Sequence, residues 1–171
     1  MNKIIKVPNS PNNSCFACGR KNPIGLHLEF YQLEDTVFTE VEITQQYVGW
    51  ENLTHGGILA TIADETMAWT AIHLTQSYIL TRGFQIEFLR PCKVGQVLRA
   101  EGKITSWVSQ REVVIEVKIF LPDGKICTKA QGNLVLFSKK ELRNKKLFDL
   151  SYLEDFEIYV PIKDESTVKN K

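Results

Sequence analysis

Hydrophobic and polar positions alternate with a period of two in several short stretches of this chain. Leu26, Leu28 and Phe30 are separated by His27 and Glu29, the pattern of a strand with one buried face and His27 turned outward. Val37, Val41 and Ile43 stand opposite Glu40 and Glu42, and Phe84, Ile86 and Phe88 stand opposite Gln85 and Glu87. The cleanest run sets Val113, Ile115, Val117 and Ile119 against Glu112, Glu116 and Lys118. Turn-forming residues punctuate these runs: Pro23 and Gly25, Glu34-Asp35, Pro91 and Gly95, and Pro122-Asp123-Gly124 as a hairpin turn. The stretches VLRAEGKITSW and KICTKAQGNLVLF supply two more strands and end the series near Phe137.

One segment breaks the pattern. From Gly57 to about Thr75, Ile58, Leu59, Ile62, Ala63, Met67, Trp69 and Ile72 leave no continuous polar stripe, so a helix here must be enclosed on most sides. The predicted order is two strands, one buried helix and four strands. Short turns between strands and a segregated helix indicate an α+β fold, with an antiparallel sheet of five to six strands wrapped around one long central helix.

A chain of 171 residues suits one domain. The expected organisation is a flexible arm over residues 1–14, a folded domain over 15–138 and a charged C-terminal extension over 139–171, partly disordered, in which YLEDFEIYVPI is suited to docking. Lys and Arg total 21 against 20 Asp and Glu, so no overall field favours nucleic acid or an anionic membrane. The N-terminus shows no signal-peptide pattern, and no stretch approaches the ~20 apolar residues of a membrane span. The expected location is the cytoplasm.

Cysteine use agrees with a reducing compartment. Cys15 and Cys18 form a CxxC that runs into a turn rather than into the helix of a redox motif, while Cys92 and Cys127 stand alone. Structural zinc usually takes four ligands, and no second CxxC exists. The expectation is a structured loop with reduced thiols, no metal and no cofactor.

The helix opens on His55-Gly56-Gly57 and carries Asp64 and Glu65 side by side. A Gly-Gly start presents unpaired N–H groups that a ligand can approach closely, and the dipole adds about half a positive charge. Such an end suits an oxyanion forming on a carbonyl under attack; a tight turn that lets the helix pack near a strand accounts for the glycines equally well. An ionised carboxylate in so apolar a helix needs a partner. Asp64 shares its face with Ala60, Thr61, Ala68 and Ala71, small residues that leave room for a ligand, and is the candidate base or nucleophile. Glu65 lies among Ile58, Thr61, Ile62, Trp69 and Ile72, where an ion pair with Arg82 or Arg99 competes with a role in binding. His73 falls in the last turn, where positive charge suits the dipole.

Eight residues, roughly 12 Å of axial rise, separate Gly56 from Asp64. A base must come within about 3 Å of its target. If the two cooperate, the carboxylate comes from a second helix, which a two-fold dimer supplies.

HGGILATIADETMAW resembles the central helix of hotdog-fold acyl-CoA thioesterases, particularly the branch that includes the phenylacetate-pathway enzymes. CFACGRKNPIGLHLEFY, GWENLTHGG, TRGFQIEFLRPCKVG and GKICTKAQGNLVLF look like segments of a widespread group in that superfamily, in the same order from about Cys15 to Phe137. The resemblance implies a hotdog fold, a homodimer or dimer of dimers, and acyl-CoA substrates hydrolysed to free acid and CoA. It marks Gly56 as the oxyanion glycine, Asp64 as general base or nucleophile, and His55 as a residue that positions the thioester. Related thioesterases often carry Asn or Gln where this chain has Gly49, which makes nearby Asn52 a candidate for a supporting role. Gly57, Glu65, Trp50, Arg82 and Arg90 complete the expected substrate-binding set, with Met67, Trp69 and Phe84 as further acyl contacts and Lys93 and Arg99 as further phosphate contacts. The alternatives are a non-catalytic acyl-CoA sensor or scaffold, and a hotdog dehydratase, whose pattern has a Pro-Gly opening the helix.

Overall fold

The alternating runs pair edge to edge in a single sheet. In this computed structural model, which describes residues 3–164, the strands are β1 (Ile5–Lys6), β2 (Phe30–Leu33), β3 (Thr36–Glu42), β4 (Tyr78–Phe88), β5 (Val97–Ser109), β6 (Glu112–Phe120) and β7 (Ile126–Phe137). They lie in the order β1-β2-β3-β5-β6-β7-β4, every pairing antiparallel. Helix α1 (Gly56–Thr75) follows a 3-10 turn at Gln45–Tyr47 and packs across β3 to β7. The α+β architecture matches expectation. The sheet has seven strands rather than five to six because the two-residue β1 extends its edge.

The inward residues of β6, Val113, Ile115, Val117 and Ile119, are fully enclosed and meet Ile62 and Met67 of α1 in one core. Burying each such side chain contributes roughly 1.5–3 kcal/mol relative to leaving it in water. The threonines of α1 enter this core because their hydroxyls bond backward along the helix. Thr66 donates to the Ile62 carbonyl at 2.7 Å and Thr70 to that of Thr66 at 2.6 Å. Gly102 lets β5 approach them closely, since a Cβ there would lie 2.3 Å from Thr70 Oγ1.

The first predicted strand is displaced. Leu26, Leu28 and Phe30 are buried in alternation, but sheet pairing starts only at Phe30. The amides of Leu26 and Leu28 donate instead to the carbonyls of Phe16 and Ala17, each at 2.9 Å, so this stretch pairs with the CxxC loop. His27, expected on a strand, adopts a φ of 51° and takes Gly19 O as its ring partner.

Both termini add to the domain. The arm expected to be loose is packed from β1 onward, with Val7, Ser10 and Asn13 buried. Asp155 ties it down, accepting from Ser10 Oγ and from Asn12 Nδ2. At the other end, α2 (Lys139–Lys145) starts at a capping box of Ser138 and Glu141, and α3 (Leu150–Tyr159) buries Leu153 and Phe156. The Phe156 ring lies 6.2 Å from Trp69 and 5.7 Å from Tyr78, so the YLEDFEIYVPI segment docks on the core. Of the final dozen residues, the part of the extension expected to be disordered, Val160 is buried and the Lys163 amide donates to the Gln76 carbonyl at 2.9 Å, while residues 165–171 lie outside the described residues. Among the described residues no helix is long and apolar enough to cross a membrane.

Candidate active site

The start of α1 is built by its N-cap. His55 sits at φ −62° and ψ 133°, and its Nδ1 accepts from the Gly57 amide at 2.9 Å. That bond leaves the neutral ring's proton on Nε2. Gly57, expected to offer its N–H to substrate, therefore has it engaged. The Gly56 N–H has no acceptor among the described residues and is the amide open to a ligand.

The Phe88 ring, at the end of β4, covers Gly56; a Cβ on the glycine would lie 3.5 Å from Phe88 Cζ. Beside it is a cavity of about 250 Å³ lined by residues that include Thr54, Gly56, Leu59, Phe88, Arg90 and Cys92. Thr54 Oγ1 is buried without a hydrogen-bond partner among the described residues, a state that costs about 1–3 kcal/mol unless a ligand or water relieves it. Neither Thr54 nor Cys92 stands out in the sequence, because each belongs to an ordinary-looking loop and only the bridge between Leu53 and Lys93 brings those loops together.

Gly49 lies directly under the cap. A Cβ there would come within 2.9 Å of His55 Cα and 3.3 Å of its ring. The position that often carries Asn or Gln in related sequences has no room for a side chain here. Asn52 does not replace it: its carbonyl accepts from the Val94 amide at 2.9 Å, and the residue is exposed.

Further along α1, half-buried Asp64 faces β4, where Thr81 Oγ1 donates to its Oδ1 at 3.0 Å. Among the described residues Asp64 has no other hydrogen bond and no basic partner, so its second oxygen is available. Thr81 adjoins the register irregularity between Thr81 and Gly83 in the β4–β7 pairing.

Glu65 turns elsewhere. It accepts from Trp69 Nε1 at 3.0 Å, and both its oxygens lie 3.8 Å from Cys15 Sγ. Burial, with Cys15 alongside, pushes its carboxyl up to about 7. The arginine pair weighed for it does not form: Arg82 binds Glu112 at 2.9 Å, and Arg99 binds Glu40 and Glu101. Glu65 is absent from the cavity beside Gly56, as are Trp50 and Arg82. Trp50 is 86% exposed, while Met67 and Trp69 belong to the core. Of the expected basic contacts Arg90 lines the cavity, its guanidinium donating to the Ile126 carbonyl at 2.5 Å. His73 also departs from expectation: it meets Gln32 Oε1 at 2.7 Å, and burial holds its pKa below the usual histidine range.

Residues 51–128 match the thioesterase superfamily. No curated protein matches the chain. The fold is similar to that of the PaaI protein of E. coli from the phenylacetic acid degradation operon, with a TM-score of 0.61 and 20% identity over 66% of this chain and 81% of that one. It is similar to a hypothetical thioesterase of Streptococcus pneumoniae TIGR4 with coenzyme A, at a TM-score of 0.59 and 22% identity over 64% of this chain and 84% of that one. The smu.793 protein of Streptococcus mutans UA159, bound to acetyl CoA, gives a TM-score of 0.59 and 18% identity over 64% of this chain and 87% of that one. Sequence match and architecture agree: the thioesterase-superfamily match spans residues 51–128, just under half of the chain, and the chain has the hotdog fold.

Proposed function

We propose that the protein hydrolyses acyl-CoA thioesters to free acid and CoA, at sites shared between two subunits. The course of β4 carries the proposal. Its Phe88 end lies beside Gly56, its Thr81 end holds Asp64, and it is the last strand of the sheet, bonded to β7 on one side only. Leu80 and Phe88 are 39% and 54% exposed along it, an apolar edge suited to pairing with a second copy. Antiparallel pairing of two β4 edges about a two-fold axis brings the Thr81 end of one strand to the Phe88 end of the other. Asp64 of one subunit then approaches Gly56 of its partner, which overcomes the roughly 12 Å that separates the two groups along a single helix.

In this site the thioester carbonyl lies at the start of α1, where the Gly56 N–H donates to the oxyanion that forms. The free oxygen of Asp64 takes a proton from water, or attacks the carbonyl itself. In the first route the water oxygen adds to the carbonyl, the C–S bond breaks and Asp64 passes its proton to the departing sulfur. In the second, CoA leaves as a thiolate that takes a proton from water, and a further water hydrolyses the acyl-aspartyl anhydride to the free acid. Leu59 and Phe88 offer an apolar wall for the acyl group, and Arg90 a charge for the coenzyme's phosphates. The coenzyme A and acetyl CoA bound in two structural neighbours support this choice of ligand.

Incubation with a panel of acyl-CoAs and a thiol reagent tests the activity. The wild-type chain is expected to release CoA, and Asp64→Asn to bind the same thioester without releasing it. Binding without release by the wild type, the behaviour of a sensor, overturns the proposal; so does equal release by the variant.

A further inference from the structure

Glu65 has no part in the proposed hydrolysis. Consecutive helix residues point about 100° apart, so while Asp64 faces β4, Glu65 faces the loop that carries Cys15 and Cys18. The two thiols and the carboxylate converge there, with one ligand atom from each within 4.8 Å of the others. Among the described residues no Lys, Arg or His pairs with Glu65, and neither cysteine is in a disulfide. Three acidic groups meet with no basic side chain of the described residues between them.

We infer that Cys15, Cys18 and Glu65 hold one zinc ion, with water in the fourth position. With Zn–S near 2.3 Å and Zn–O near 2.1 Å, a tetrahedral angle sets the sulfur-to-oxygen edge at about 3.6 Å. Cys15 Sγ lies 3.8 Å from each Glu65 oxygen. Two thiolates and a carboxylate are a donor set that suits zinc rather than magnesium or calcium.

The loop is shaped around its sulfurs. The Ala17 amide donates to Cys15 Sγ at 3.3 Å, and Asn13 Nδ2 donates to Cys18 Sγ at 3.4 Å. Gly19 closes the turn with its amide on the Cys15 carbonyl at 2.9 Å, so tightly that a Cβ would lie 2.4 Å from Cys15 N. Such N–H donors stabilise the thiolate form that a metal requires, and ion binding releases the two thiol protons to water. Trp69 Nε1 donates to Glu65 Oε1 at 3.0 Å, the outer contact that orients a ligating carboxylate. Cys18 and Trp69 also line a cavity of about 240 Å³ that borders the exposed side chains of Lys6 and Arg20. The ion would clamp the N-terminal loop to α1 one residue from Asp64. Cysteine spacing alone pointed away from a metal because the third donor lies 47 residues beyond Cys18, on a helix with no ligand motif of its own.

The test uses the full chain, purified reduced and without chelator, and counts zinc by elemental analysis. About one zinc per chain is expected. After chelation, titration with cobalt(II) is expected to give a thiolate-to-cobalt charge-transfer band. Glu65→Gln keeps an oxygen for Trp69 to donate to, and Trp69→Phe removes that donor; each is expected to weaken zinc by at least about tenfold. A folded wild-type chain that stays zinc-free and gives no cobalt band overturns the site. Unchanged affinity in Glu65→Gln overturns the three-ligand assignment. Should Cys18→Ser fail to fold, the cobalt spectrum of the wild-type chain still decides, because the band requires sulfur on the metal. None of these readouts depends on thioester hydrolysis.

Discussion

Thr81 and Asp64 join β4 to α1 through one hydrogen bond of 3.0 Å. The bond fixes one carboxylate oxygen and leaves the other free. Thr81→Val keeps the side-chain shape and removes the donor. It is expected to lower kcat about tenfold by loosening a catalytic geometry, with little change in KM. CoA release under saturating substrate measures it; an unchanged kcat would mean that Asp64 is held by something else.

Gly56 occupies the first position of α1, where a helix accepts proline because that N–H has no carbonyl within the helix to reach. His55 before it, at φ −62° and ψ 133°, already has the extended backbone that a following proline demands. Gly56→Pro therefore deletes the proposed oxyanion donor with the fold kept. Activity is expected to fall about 10²–10³-fold while the circular dichroism spectrum is retained. Full activity in that variant would remove the Gly56 amide from the mechanism.

Sites shared between subunits predict complementation. Asp64→Asn and Gly56→Pro chains are each inactive alone, but a mixed dimer has one site with both native groups. Equal mixing after subunit exchange is expected to restore about a quarter of wild-type activity. Persistent inactivity in a mixture shown to contain heterodimers would place both groups of a site in one subunit.

Phe156 anchors the C-terminal helices to the core by packing on Trp69 and Tyr78. Phe156→Ala is expected to cost about 3 kcal/mol, a fall of roughly 10 °C in Tm. Thermal melts followed by circular dichroism test this, and a change under a degree or two would show the extension to be dispensable for stability.

His73 makes stability depend on pH in a calculable direction. Burial lowers its folded pKa, so the native state resists protonation. Its contribution is complete above the unfolded value near 6.5 and is lost as pH falls from there through the lower folded value. Wild-type Tm is expected to drop more steeply between about pH 6.5 and 5 than that of His73→Gln. Parallel slopes would assign the acid sensitivity to other groups.

The period of two in β3 and β6 and the apolar run of α1 are legible in the sequence because each side chain's burial there follows from its own strand or helix face, whereas in β4 Phe88 is left exposed on the edge of the sheet. The Leu26–Phe30 stretch shows the limit of that logic, since burial alternated as predicted while its hydrogen bonds went to a loop. His-Gly-Gly and Asp64 stand out in the sequence as a glycine-rich helix start and a carboxylate in an apolar helix. The capture of the Gly57 amide by His55, the hold of Thr81 on Asp64 and the burial of Thr54 at the cavity do not, since each depends on contacts between segments that no local pattern encodes. Glu65 was placed among its helical neighbours correctly, yet its nearest polar groups came from Trp69 and from a loop fifty residues earlier.

The absence of a side chain at residue 49 has an evolutionary corollary. Because the backbone and ring of His55 occupy the space that an amide side chain would need, Gly49→Asn cannot simply be added to the present cap; the backbone at residue 55 would first have to shift, and with it the bond to Gly57. The path of the chain through residues 49 and 55 is therefore linked in any substitution history or redesign, and an amide at 49 calls for a cap built on a different backbone.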